Sequence, residues 1–331
     1  MESDEEEFDN GECFYYTKLS DVFEKNNILG EVVQDTDDFV FIEEVGRGTY
    51  GEVHMVKKIK DNNKISVLKE VYAFNTDSNI VKNLINEIMI LKSLSHPNII
   101  KIEGFAQNFA DGSIYIEYEY YPYTLQDIIS LEKEISEGTI KSYTYQLFDA
   151  LSYIHSKGIF HRDVTPSNIL LSPSDKIILT DFNMSKYIQC GESDDMKCQT
   201  PCLTTLQYRA PEVLLDIPDY NESIDIWAVG CIIVEMINEG EPLFNGTSDL
   251  EQLKNIFTIL GLPNEGNLPG YSDIPFFQYF SVEIQEFKLL KKSLKKINDE
   301  IILDLLNKIF TYNYKERLKA IEGKIHPYLS R

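Results

Sequence analysis

The run His161-Arg162-Asp163-Val164-Thr165-Pro166-Ser167-Asn168, followed by Asp181-Phe182-Asn183 and then Ala210-Pro211-Glu212, constrains this chain more than any other feature. It sets a carboxylate, a carboxamide and a second carboxylate in a fixed order. Apolar stretches of helical spacing surround it. Residues 139–155 repeat Ile140, Tyr143, Leu147, Ala150, Leu151 and Ile154, and residues 226–236 are apolar almost all round, as a buried helix is. The polar groups are therefore expected on loops held by a helical scaffold. Asp163 is suited to accept or orient the proton of an attacking hydroxyl. Asn168 and Asp181 suit Mg2+, which needs few protein oxygens because phosphates and water complete its octahedron. Any one of these residues alone would read as a capped turn; their joint order is the signal.

Upstream, residues 39–45 are apolar and β-branched, and Gly46-Arg47-Gly48-Thr49-Tyr50-Gly51 then leads into Val53 and Met55, which alternate with polar neighbours. The glycine pattern alone is weak. In a dinucleotide-binding fold it would open a helix, whereas here a strand and the turn Asp61-Asn62-Asn63 follow, which favours a glycine-rich hairpin over phosphates. A third strand, 65–71, carries Lys69. The next apolar helix, with Leu84, Ile85, Ile88, Ile90 and Leu91, carries Glu87, a carboxylate that would be costly among such neighbours without a cation. Lys69 is the natural partner. Residues 115–121 form an aromatic-rich strand, after which the chain turns chiefly helical.

Charge narrows the partners. The chain has 331 residues, 43% of them apolar, and a formal charge of -23. Such a surface repels a phosphate backbone, so nucleic acid is not expected. Residues 1–38 contribute 13 acidic side chains against Lys18 and Lys25, and read as a disordered acidic extension or a docking segment for a basic partner. No apolar run reaches the roughly 18–20 residues a membrane helix needs, and the N-terminus has no basic or apolar region of a secretory signal. An intracellular location, cytoplasmic or nuclear, is expected. Cys190, Cys198 and Cys202 lack a Cys-x-x-Cys pair and read as incidental thiols rather than a zinc site.

Taken with Ser95-His96-Pro97-Asn98-Ile99-Ile100, the run from Thr205 through Leu215, the segment ending in Gly261-Leu262-Pro263-Asn264, Arg317 and His326-Pro327-Tyr328, these motifs resemble a eukaryotic serine/threonine protein kinase of the cyclin-dependent or CMGC type. The resemblance runs from about residue 39 to the C-terminus. It implies an α+β bilobal kinase fold, with an antiparallel β-sheet lobe plus one helix at 39–121 and a larger, mainly α-helical lobe at 122–329. It implies ATP and Mg2+ as cofactors, with Gly46, Gly48, Gly51, Val53, Lys69, Glu87, Glu119, Tyr121 and Asp181 at the nucleotide. Asp163, Lys69 and Asn168 become catalytic, and Asn168 and Asp181 the metal ligands. Tyr118 falls at the back of the adenine pocket, and Glu212 pairs with Arg317.

The resemblance further implies a proline preference through Arg209, and an activating phosphorylation at Thr200 read by Arg162. Departures matter. Residues 81–86 do not reproduce the cyclin-contacting signature, so protein substrates are implied but a cyclin-like activating subunit is left open. Gln207 replaces a tryptophan. Asn183 replaces a glycine, and is expected to tolerate the left-handed backbone such a turn needs. Thr165 stands where the family places a lysine directed at the γ-phosphate. An active phosphotransferase and a pseudokinase acting as a nucleotide-binding or scaffold module both remain open at this point.

Overall fold

Strand segments rich in β-branched and aromatic residues build the first part of the computed structural model, which describes residues 33–47, 51–62, 64–71, 78–131, 134–187, 205–217, 220–279, 290–294 and 299–330. Thr200, Gly48, the cysteines at 190, 198 and 202, and residues 1–32 of the acidic extension lie outside the described residues. Contacts divide the chain into two units. The first holds the described residues through Met89 with Ile102–Tyr120, and the second Ile90–Lys101 with the residues from Tyr121 onward. The continuous 39–121 lobe read from the sequence is thus interrupted at residues 90–101.

In the first unit, β1 (Gln34–Asp35), β2 (Phe39–Arg47), β3 (Glu52–Lys58), β4 (Lys64–Val71), β5 (Ile102–Gln107) and β6 (Ile114–Glu119) form one sheet in the order β1-β5-β6-β4-β3-β2. All pairings are antiparallel except β1 with β5. Ordered structure therefore begins before residue 39, correcting the expected limit of the acidic extension. The cause is local: Gln34 pairs in register with Ala106, its side chain donates to Glu117 at 2.9 Å, and Thr36 is buried. Lys58 also donates to the buried Glu117, at 3.0 Å. Phe39, Val56, Leu68, Ala106 and Tyr115 form an apolar cluster on one sheet face. Helix α1 (Ser78–Ser93) follows β4 and buries Leu84, Ile88, Ile90 and Leu91.

The second unit opens with β7 (Tyr123–Thr124), α2 (Leu125–Ser130) and α3 (Glu137–Ser156), the last capped by Ser136. Short strands β8 (Ile159–Phe160), β9 (Ile169–Leu171), β10 (Ile177–Leu179) and β11 (Lys186–Tyr187) alternate with the motif loops. Helices α4 (Pro211–Leu214), α5 (Ser223–Ile237), α6 (Asp249–Leu260), α7 (Pro275–Tyr279), α8 (Leu290–Ser293), α9 (Glu300–Ile309) and α10 (Ala320–Lys324) complete it. Every residue of α5 is buried, as its all-round apolar sequence requires. It packs so closely that a Cβ on Gly230 would lie 2.5 Å from Ile309.

Glu212 and Arg317 meet in the interior of this unit. Arg317 Nη2 donates to Glu212 Oε2 at 2.8 Å and Nη1 to Oε1 at 2.5 Å, while the guanidinium also donates to the carbonyls of Thr311 and Ser223 and stacks over Trp227. Both side chains are essentially unexposed. Removing one partner leaves the other as an uncompensated buried charge, which costs far more than the pair contributes. Glu212→Ala is therefore expected to lower the unfolding free energy by about 3–5 kcal/mol in a urea titration; a loss below about 1 kcal/mol would show that water reaches Arg317.

Candidate active site

The candidate residues fall in both units. In the first, Gly46 stands opposite Val53, and Val53 opposite Lys69. Gly51 is required by close approach of backbone, since a Cβ there would lie 2.2 Å from the Glu70 carbonyl oxygen. Lys69 Nζ donates to Glu87 Oε1 at 3.0 Å, and Glu87 is only 2% exposed. The pairing inferred from the cost of a lone carboxylate is thus present. Glu119 ends β6, exposed, and Tyr118 before it is buried; Tyr121, the first residue of the second unit after this strand, is half-buried.

In the second unit, Asn168 closes the loop after Asp163. Its Nδ2 donates to the Asp163 carbonyl and to Asp163 Oδ2, both at 2.9 Å, which points the amide oxygen away from Asp163. Asp163 Oδ1 is buried and accepts no hydrogen bond among the described residues. Burial pushes the Asp163 carboxyl up, with the charge of Asp181 adding to it, against His161, Asn168 and the Thr205 N–H, which favour the ionised form. Asp181 lies in the left-handed region at φ 62°, ahead of the 3-10 turn Phe182–Met184. Two oxygen donors, Asn168 Oδ1 and the Asp181 carboxylate, have no hydrogen-bond or ion-pair partner among the described residues. Such a hard-oxygen set fits Mg2+.

The turn does not call on the tolerance expected of Asn183. The residue with positive φ is Asp181, and Asn183 sits inside the 3-10 turn without it. Its Oδ1 is buried and unpartnered among the described residues. Thr165 lies in the interior of the second unit. It is 4% exposed, its carbonyl accepts from the Asn168 N–H at 3.0 Å, and it lines a cavity of about 20 Å³ with Arg162, Tyr208, Arg209 and Asp225.

The loop is held by a residue the sequence reading passed over. Asp225, on α5 and 1% exposed, accepts the N–H of His161 at Oδ2 and that of Arg162 at Oδ1, each at 2.8 Å, and His155 Nε2 lies 2.9 Å from Oδ2. Burial alone would push this carboxyl up; the hydrogen bond and charge of His155, with His161, hold it below its ordinary value. The sign follows: stability from Asp225 is present at neutral pH and is lost as pH falls through its depressed pKa. The signal was available, because Asp225 stands as a carboxylate at the head of a largely apolar helix, the argument that singled out Glu87. Arg162, at φ 72°, donates to Tyr220 Oη at 3.0 Å and to the Met184 carbonyl at 3.3 Å. His161 packs edge-on against the buried Phe182.

Asp225→Asn is expected to lower melting temperature and turnover together, because an amide nitrogen cannot accept the N–H it would face. Unchanged melting and turnover would show that the loop is held by other contacts.

Comparison with known proteins agrees with this geometry. Residues 39–329 match the protein kinase domain family. The chain is 31% identical over 297 residues to cyclin-dependent kinase 1 of Encephalitozoon cuniculi, covering 88% of this chain and 97% of that protein. It is 32% identical over 293 residues to a probable cyclin-dependent kinase 10 of Dictyostelium discoideum, covering 88% and 78%. A probable serine/threonine-protein kinase of Arabidopsis thaliana is 35% identical over 239 residues, 72% of this chain but only 33% of that one. Among the described residues no helix is long and apolar enough to cross a membrane.

Proposed function

The chain belongs to the protein kinase family, within its cyclin-dependent-like serine/threonine branch, and on that premise we propose that it transfers the γ-phosphate of ATP to serine or threonine followed by proline in protein substrates. The observation that carries this reading is the Asp163–Asn168 pair, which leaves one carboxylate oxygen of Asp163 without a hydrogen-bond partner among the described residues and turns the amide oxygen of Asn168 away from Asp163. Asp163 orients the acceptor hydroxyl and takes its proton. Lys69, fixed by Glu87, holds the α- and β-phosphates, and Asn168 and Asp181 hold Mg2+. When bound, that ion neutralises charge developing on the phosphate oxygens. Gly46, Gly48, Gly51, Val53, Glu119 and Tyr121 would bind the nucleotide. The retained phosphate-handling groups favour this over a scaffold module, and the named relatives lend that alternative no support.

Substrate choice rests on the segment beginning at Thr205. Arg209 pairs with Asp249 at 2.8 Å and Gln207 donates to Asn245 at 3.1 Å, so two side chains brace the stretch assigned to the residue after the phosphoacceptor. Purified protein given radiolabelled ATP is expected to phosphorylate a Ser-Pro peptide well above its Ser-Ala counterpart. Asp163→Asn should abolish that transfer while leaving folding and ATP binding largely intact; undiminished turnover in this variant would remove Asp163 from its assigned role.

Regulation is proposed at Thr200, with a cyclin-like subunit as a further candidate partner. A phosphate there adds roughly -1.5 to -2 charge. It would compete with Tyr220 for Arg162, coupling the segment to the loop that carries Asp163. Thr200→Ala is expected to hold activity low in the presence of an upstream kinase; equal activity of phosphorylated and unphosphorylated protein would count against the switch.

A further inference from the structure

The sheet of the first unit carries a second cluster whose chemistry the phosphotransfer reading does not use. The register that sets Val53 opposite Lys69 brings Glu52 alongside Glu70, and Glu70 stands opposite Tyr115. Side chains alternate along a strand, so Glu52, His54, Glu70 and Tyr115 share the face opposite to Lys69. One potential ligand atom from each of Glu52, His54 and Glu70 lies within 4.8 Å of the others. Glu52 Oε2 and His54 Nε2 are 3.4 Å apart. That separation matches the edge of a tetrahedron, roughly 3.3–3.4 Å, built on metal–ligand bonds of roughly 2.0–2.1 Å.

The surroundings are arranged as they are around bound ions. The second oxygen of Glu52 accepts from Arg47 at 2.6 Å, which leaves Oε2 to face the histidine, and the His54 ring is set edge-on by Phe41 at 5.3 Å. Tyr115, 9% exposed, stands on the same sheet face directly opposite Glu70.

We propose that Glu52, His54 and Glu70 bind a divalent transition-metal ion of the zinc class, with a fourth position left to water. The imidazole ligand selects against Mg2+, which prefers an all-oxygen octahedron, and so separates this site from the one at Asn168 and Asp181. The ion bridges β3 and β4 next to the contact of Gly51 with the Glu70 backbone. It thereby fastens the strand that leaves the glycine-rich turn to the strand that carries Lys69.

The test is calorimetric titration of Zn2+ into the metal-free full chain in millimolar Mg2+, with the absorption of Co2+ as a second readout of four-coordinate geometry. One equivalent is expected to bind despite the Mg2+ and to raise the melting temperature. That equivalent should weaken by more than roughly 10²-fold, beyond the cost of losing a supporting residue, in His54→Ala and in Glu70→Gln. Each variant is first checked for an unchanged melting temperature without metal, and Glu70→Gln keeps the shape of the site should His54→Ala fold poorly. Absence of Zn2+ binding, or binding that neither substitution weakens, would overturn the proposal.

Discussion

The phosphotransfer loop depends on the buried carboxylate of Asp225. Three polar neighbours converge on it from a chain segment more than sixty residues upstream, two of them backbone N–H groups that only an ionised acceptor can serve at once. With those groups fixed, Arg162 can hold its left-handed backbone, and Asp163 is presented to Asn168 with one oxygen to spare. A largely apolar helix, whose other carboxylate, Glu235, is engaged by Tyr208, thus carries a charge at the place where the loop needs an anchor. Removing it would leave two amide donors unsatisfied.

How much of this could be read from the chain depended on whether the physics was local. The strands and the two long apolar helices were legible because their periodicity reports burial directly, and Lys69 and Glu87 because a carboxylate in an apolar row demands a cation. The Glu212–Arg317 pair came from resemblance; nothing in their spacing brings them together. Asp225 was missed although the same rule applied to it, because its partners are backbone groups that no pattern of side chains announces. Residues 33–38 were read as tail because their composition is acidic, whereas a register match with β5 and one hydrogen bond to a buried glutamate decide their state.

The two departures from the family pattern behave differently from their sequence appearance. Asparagine after Asp181-Phe182 suggested a need for left-handed backbone, yet the positive φ is at Asp181 and the following residues wind into a 3-10 turn. Threonine at 165 suggested a vacancy at the γ-phosphate. Its side chain is instead enclosed, in a cavity shared with two arginines that are themselves engaged by Tyr220 and Asp249. The hydroxyl of Thr165 still offers only a neutral hydrogen bond where the family places a charged one.

The short strand β1 has a bearing on how this protein is handled. A sheet edge presents unpaired N–H and C=O groups that recruit other strands, and proteins protect such edges with covering segments. Here β5 would form that edge, and the only described segment lying along it is Gln34–Asp35, secured by Gln34 to Glu117. Cutting the chain at the start of the matched domain, residue 39, would strip that cover and leave Glu117 with Lys58 as its remaining described hydrogen-bond partner. A fragment chosen by domain boundaries alone would therefore gain a sticky edge, and its self-association would be an artefact of where it was cut.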